Sequence, residues 1–378
     1  MEAIYLNHAA TSFPKPREVV EAVTAWFDRP PVDAARGGDS ACDPIEPCRR
    51  ELALLLGAAD PVRVVLLPSS TYAINLVIGA LVTRGSHVVT SVLEHNSVLR
   101  PIAHRERDLD VAVSYLGTSP DGIVRVDELA ASLRPETALV ALTWASNVSG
   151  AIQPVEDFAR IAAAAGVPLL LDASQAAGAV EIHHRHLPGR VFIAFSGHKG
   201  LWGPPGVGGL VVPDGELPQT VVGGTGVRSE SPLHPPELPL RHEAGTPNLP
   251  GLAGLLAGVR LIREVGVHSV GAHRATLVRR LRQGLAALSA VRALPLAGDD
   301  ERIGIVSFSL RGWSPDAVAF VLRESFGIEV RSGLHCAPLA HRALGGGPEG
   351  CVRASVGWST TEDDVDSLVG ALGRLEAR

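Results

Sequence analysis

Lys199 lies in the run Phe195-Ser196-Gly197-His198-Lys199-Gly200, directly after an apolar, β-branched stretch and with glycines close on either side. A lysine is ordinarily a solvated charge. Where its surroundings are partly desolvated its pKa falls, and the neutral amine can form an imine with a carbonyl compound. Asp172 ends another apolar run, with Gln175 three residues on. A buried carboxylate is costly without a partner, and a protonated ring nitrogen would supply one; a helix N-cap is the plainer reading. In Pro68-Ser69-Ser70-Thr71 two or three hydroxyls precede a helical pattern, which suits either a phosphate cradle or an ordinary cap. Glu94-His95-Asn96 offers an imidazole that could stack flat on an aromatic ring or merely sit satisfied in a loop. Ser146-Asn147 offers an amide for a phenolic oxygen or a carboxylate, or a turn asparagine.

All of these residues follow strand-like runs, expected at 62–67, 87–92, 111–116, 138–144, 167–172, 191–195 and 206–212. Helix-like stretches lie between several of them, at 72–82, 126–133 and 155–165. The alternation predicts an α/β fold with an open, mostly parallel seven-stranded sheet, in which ligands gather at the carboxyl ends of the strands. A phosphate cradle, a ring stacker, an amide, an acid and a lysine at five such ends describe the needs of one cofactor, pyridoxal 5'-phosphate. Residues 216–251 are rich in Pro and Gly without periodicity, a length of loop that usually serves function or an interface. Beyond them come helical patterns from Leu252, a strand at 303–310, a helix at 315–325, strands at 328–331 and 352–356, and a helix from Thr361. These make a smaller α+β C-terminal domain.

The 378 residues carry 40 acidic and 34 basic side chains, a net charge of −6 that argues against nucleic acid as the main partner. The start, MEAIYLNHAATSFPKP, shows neither a basic n-region nor a long apolar run, so no signal peptide or membrane anchor is expected. Four scattered cysteines, at 42, 48, 336 and 351, make no disulfide framework, and a reduced, cytoplasmic protein is expected.

The stretches YLNHAATSFPKP, SSTYAINLV, EHNSVLRP, ASNVSGAIQPV, LLLDASQAAG, AFSGHKGLWGPPGVGGL, EAGTPN and VRSGLHCAPLAHRALG run in order along the chain. Together they resemble the class V aminotransferase branch of fold-type I pyridoxal-phosphate enzymes, most of all its cysteine desulfurases. The resemblance implies a large domain over 21–257 and a small domain made of 1–20 with 258–378. It implies that Lys199 carries the cofactor as a Schiff base and that His95 stacks on its ring. Asp172 would pair with the ring nitrogen and Gln175 contact the ring hydroxyl. Ser70, Thr71, Ser196 and His198 would hold the phosphate, and Thr246 would reach the phosphate of a neighbouring subunit, placing the site at a homodimer interface. Asn147, also beside the cofactor, and Arg353 would clamp the carboxylate of the substrate, L-cysteine, with Arg331 and Asp39 on the same side. Cys336 matches the nucleophile, whose thiolate would take the substrate sulfur as a persulfide while alanine leaves. His335 and Arg331 would help by lowering the Cys336 pKa. The short stretch between Cys336 and Arg353 resembles desulfurases that rely on a sulfur-acceptor protein.

Three positions depart from the resemblance: Tyr72 where an acidic residue is common, Arg36-Gly37-Gly38-Asp39 in place of R-G-x-H, and Asn7-His8 in place of Asp-Asn. They leave room for a selenocysteine lyase, a C–S β-lyase or a specialised biosynthetic enzyme, and a catalytically silent cofactor-binding scaffold is a further reading. No metal site is expected; His183-His184-Arg185-His186 matches no standard ligand spacing. The clusters GVGGL and GGTG do not open a helix after the first strand, as a dinucleotide fingerprint requires.

Overall fold

The computed structural model describes residues 3–28, 43–294 and 303–377. A two-residue strand β1 (Ile4–Tyr5) and the helices α1 (Arg17–Phe27) and α2 (Ile45–Leu56) precede the main sheet. The sheet comprises β2 (Val64–Leu67), β3 (His87–Ser91), β4 (Ala112–Leu116), β5 (Thr137–Thr143), β6 (Leu169–Asp172), β7 (Val191–Ser196) and β8 (Gly208–Val211), in the order β2-β8-β7-β6-β5-β3-β4. β3 to β7 pair in parallel through four crossover segments. These segments hold α4 (Asn96–Leu109), α5 (Val126–Ser132) and α6 (Val155–Ala164), while α3 (Ser70–Leu81) leads from β2 to β3. β8 is antiparallel to both its neighbours. The loop from β7 is too short for a crossover helix, so the chain turns straight back.

Alternate residues of the central strands feed two different cores, as the two-residue pleat requires. Val140, Leu142, Leu169, Leu171, Ile193 and Phe195 pack on one face. Leu139, Ala141, Leu170, Phe192 and Ala194 pack on the other with α3 residues Ile74 and Val77. Strands buried on both faces read as unbroken apolar runs, which is why they were legible.

The long helices α7 (Leu249–Val265) and α8 (Val267–Ala286) lead into the second unit. Its antiparallel sheet holds β9 (Val291–Ala293), β10 (Ile305–Leu310), β12 (Arg331–Gly333) and β13 (Cys351–Ser355), in the order β12-β13-β10-β9. α9 (Pro315–Phe326), α10 (Pro338–Leu344) and α11 (Glu362–Glu376) complete it. The strand expected at 328–331 divides: β11 (Ile328–Glu329) pairs in parallel with β1, whereas Arg331 opens β12 and lies opposite Arg353. The N-terminus therefore belongs physically to this unit, and Leu6 joins its core with Phe308, Leu322, Val352 and Leu372. No helix among the described residues is long and apolar enough to cross a membrane.

Candidate active site

The carboxyl ends of β2, β3, β5, β6 and β7 open on a cavity of about 310 Å³. Ser70, Thr71, His95, Asn147, Asp172, Gln175, Ser196, His198 and Lys199 line it from the large sheet; Arg331, His335, Cys336 and Arg353 line it from the second unit. Thirteen residues from widely separated stretches of the sequence are thus gathered around one cavity. Thr246 is not among them: it lies exposed in its own chain. Its segment is tied to the sheet edge by Glu243, which accepts from buried Arg49 at 2.7 Å and from the Leu66 N–H at 2.6 Å. Asp39 lies outside the described residues.

The loops after β6 and β7 approach so closely that only glycine fits between them. A Cβ on Gly200 would stand 2.2 Å from the Ala177 carbonyl oxygen, and one on Gly178 would stand 2.3 Å from that of Gly200. This contact sets Lys199 against Asp172. Burial pushes the Lys199 pKa down, with Asp172 opposing it. Asp172 is itself buried; its Oδ1 accepts from the Ser174 N–H at 2.9 Å and its Oδ2 from the Ser97 hydroxyl at 3.3 Å.

His95 caps α4 with its side chain, Nδ1 accepting from the Ser97 N–H at 3.0 Å. Nδ1 therefore serves as an acceptor, and burial, seconded by Lys199, lowers the pKa of the ring. Beneath it the carboxyl of Glu94 is completely buried and pushed up to about 8.

At the other end of the cavity Ser69 caps α3, taking the Tyr72 N–H, and the Ser70 and Ser196 hydroxyls lie 2.8 Å apart. The N–H groups of Ser70 and Thr71 fall in the first helical turn, which offers them no acceptor of its own. Close by, His198 Nδ1 is buried without a partner, its pKa lowered by burial to about 4. The His198 carbonyl accepts from Ser12 N at 3.0 Å and from Lys15 Nζ at 3.0 Å, which pins the lysine loop from behind.

Arg353 is buried and donates through Nη1 to the Asn147 carbonyl at 2.9 Å, while its Nε is without a partner. Arg331 and Arg353 face each other across β12 and β13, a repulsive pairing that an anion between them would relieve. Burial and Arg331 bring the Arg353 pKa down to about 10. The amide of Asn147 donates at 2.7 Å to the His335 carbonyl, and the Asn96 N–H donates at 2.7 Å to that of Cys336. His335 and Cys336 both hold left-handed backbone, φ 50° and 55°. Such strain in non-glycine residues persists only where the surroundings enforce it.

The help expected of a charged His335 beside Cys336 is absent, because the imidazole is neutral. The His335 ring lies 3.0 Å from that of His341, Nδ1 to Nε2, and burial pushes its pKa to about 3, so it carries no charge to offer. Cys336 is exposed and lines a second groove, of about 630 Å³, between α3 and α4. Sequence reasoning passed over Ser97, Ser174 and Lys15. Each lies within a quoted motif, and the only signal was a hydroxyl or amine beside a residue already singled out.

Residues 4–368 match the family described as aminotransferase class-V. A probable cysteine desulfurase of Methanothermobacter thermautotrophicus is 34% identical, over 97% of this chain and 92% of its own. A cysteine desulfurase of Yersinia pseudotuberculosis is 31% identical, over 99% and 93%. Among solved structures, the apo cysteine desulfurase of Thermococcus onnurineus NA1 superimposes with a TM-score of 0.91 at 31% identity, covering 99% of this chain and 95% of that one.

Proposed function

The chain belongs to the class-V aminotransferase family, and we propose that it is a cytoplasmic, pyridoxal-phosphate-dependent cysteine desulfurase that converts L-cysteine to L-alanine. The observation that carries this reading is that Cys336 opens onto the same cavity as Lys199 and Arg353.

The residues present fit the cofactor. A phosphate would satisfy the free N–H groups of the α3 N-terminus and the orphaned His198 Nδ1. A ring nitrogen that keeps its proton would give the buried Asp172 carboxylate the cationic partner it needs. His95 would lie against the ring, and Ser70, Thr71, Ser196, Gln175 and Asn147 would complete the cofactor contacts. Bound there, the cofactor supplies an electron-withdrawing ring that stabilises negative charge at the substrate α-carbon. Lys199, whose pKa is lowered by burial, would attach the cofactor and would take and return the α-proton. Arg353, with Arg331 opposite, holds the substrate carboxylate by a planar, two-pronged contact. The Cys336 thiolate attacks the substrate sulfur: an S–S bond forms, the C–S bond breaks, and its electron pair passes to the carbon skeleton, which is protonated and leaves as alanine.

Exposure of Cys336 on the α3–α4 groove supports delivery of the persulfide sulfur to an acceptor protein. A homodimer is supported by the outward-facing Thr246 and by apolar side chains of the irregular segment, Val222 at 65% and Leu233 at 78% exposure. The division into 21–257 and 1–20 with 258–378 is supported by the β1–β11 pairing, with position 257 falling inside α7.

Purified protein given L-cysteine and a reductant should release alanine and sulfide in equal amounts, and Cys336→Ala should abolish both. Pyruvate and ammonia would instead identify a β-eliminating lyase.

A further inference from the structure

Behind the Cys336 loop lies a row of three buried groups that the proposed chemistry does not use. His335 Nε2 faces the Arg331 carbonyl at 3.3 Å, His335 Nδ1 lies 3.0 Å from His341 Nε2, and His341 Nδ1 lies 3.8 Å from Cys351 Sγ. The ligand-type atoms of the three side chains fall within 4.8 Å of one another, as a metal site would require. Yet His341 turns one nitrogen toward each neighbour, so no single atom of it serves both, and the contacts are those of a hydrogen-bond chain.

The direction of that chain is fixed from one end. A carbonyl oxygen only accepts, so His335 Nε2 carries a proton. With the ring neutral, Nδ1 must accept, and His341 Nε2–H is the donor. His341 Nδ1 then accepts in turn, and the Cys351 thiol gives the last proton. Burial favours this arrangement throughout, holding His341 at about 4 and the Cys351 thiol at about 11. The local backbone is shaped around it: a Cβ on Gly346 would stand 2.4 Å from His341 Nδ1, and the Gly346 N–H donates to the His341 carbonyl at 2.7 Å.

We propose that His341 and Cys351 are positioning residues for Cys336, holding His335 in a single tautomer and orientation so that the strained His335–Cys336 backbone presents the thiol to the cavity. His335 is clamped on its carbonyl by Asn147 and on its ring by His341 and the Arg331 carbonyl, and Cys336 is the next residue along. Loss of the ring clamp frees two left-handed residues to relax. What Cys336 then does rests on the desulfurase reading; the clamp itself does not.

The test compares holoenzyme of wild type, His341→Phe and His341→Gln. In His341→Phe the His335 ring loses its donor. Backbone hydrogen exchange should rise at 334–338 and at the Asn96 amide, while the cofactor spectrum stays unchanged. Alanine formation should fall about 10- to 100-fold in kcat with KM little altered, the cost of a misplaced reacting atom. His341→Gln, whose amide can donate to His335 and accept from Cys351, should restore most of both. Nitrogen-15 NMR of labelled histidine should place the wild-type His335 proton on Nε2. If His341→Phe does not fold, Cys351→Ala takes its place, with the same direction of change. Wild-type protection and kcat in the folded variant, or a His335 proton on Nδ1, would overturn the proposal. Protection lost in an enzyme that never made alanine would leave the clamp standing and remove the desulfurase reading alone.

Discussion

Glu94 is enclosed on every side; one carboxyl oxygen accepts from the Ser91 hydroxyl at 2.6 Å and the Thr143 N–H at 3.0 Å, and the other has no partner. Its pKa of about 8 against an ordinary 4.5 means that the folded protein keeps the proton that the unfolded chain gives up. That stabilisation is complete below pH 4.5 and drains away as pH rises toward 8. Glu94→Gln, neutral at every pH, should therefore gain on wild type in urea midpoint between pH 6 and pH 9; an unchanged difference would mean that Glu94 is ionised in the fold. Arg353 makes a different case, since its unpartnered Nε and its opposition to Arg331 leave a site shaped for a carboxylate. Arg353→Lys keeps the charge and loses the planar fork. Losing one charged hydrogen bond costs about 2 kcal/mol, so kcat/KM should fall roughly 30-fold, read from alanine formation against L-cysteine concentration.

At the scale of elements, what carries the site is the abrupt ending of strands. Asp172 and Ser196 are the last residues of β6 and β7, and the close approach of Gly178 and Gly200 locks the two following loops together. Gly200→Ala has no room for its methyl group and should drive these loops apart, measured as loss of the visible absorption of bound cofactor while far-ultraviolet circular dichroism is kept. These strands were legible in sequence because burial on both faces makes them continuous apolar runs. The antiparallel course of β8 was not, since pairing direction is set by loop length rather than by composition. α4 escaped because it starts on a histidine cap, contains Pro101 and is mostly polar. The break between β11 and β12 escaped because nothing in Ile328 to Arg331 signals that its halves join different sheets. That break matters most, for it is what sets Arg331 opposite Arg353. At the C-terminus Thr361 was read correctly as a helix start, and its side chain forms a reciprocal cap with Asp364. Thr361→Ala should cost about 1 kcal/mol in thermal or urea unfolding.

The whole molecule brings two units together over one cavity, and its charge state responds as a unit. His8, His242, His335 and His341 are all buried, with pKa values lowered by burial to about 3, 4, 3 and 4. The unfolded chain binds these protons near pH 6.5 and the folded one does not, so their contribution is intact above 6.5 and is lost as pH falls toward 4. Each group can contribute a slope of up to about 1.4 kcal/mol per pH unit. Among the described residues Glu94 runs against them between 4.5 and 8, so net stability should drop steeply on acidification from pH 6.5 to 5, as followed by urea midpoints. At this scale most of the residues singled out in the sequence line the cavity, because Asp172, Ser196 and their neighbours end strands whose carboxyl ends converge, whereas Thr246 lies exposed outside it. The sequence motifs could not supply the orientation of His335, which depends on His341 and Cys351 packing behind it. The proposed desulfurase reaction requires sulfur to pass from L-cysteine to Cys336 within this cavity. Its most direct test is mass spectrometry of the holoenzyme after a single equivalent of L-cysteine without reductant. The peptide containing Cys336 should gain the mass of one sulfur atom as alanine appears in equal amount. Alanine or pyruvate formed with that peptide unmodified would contradict it.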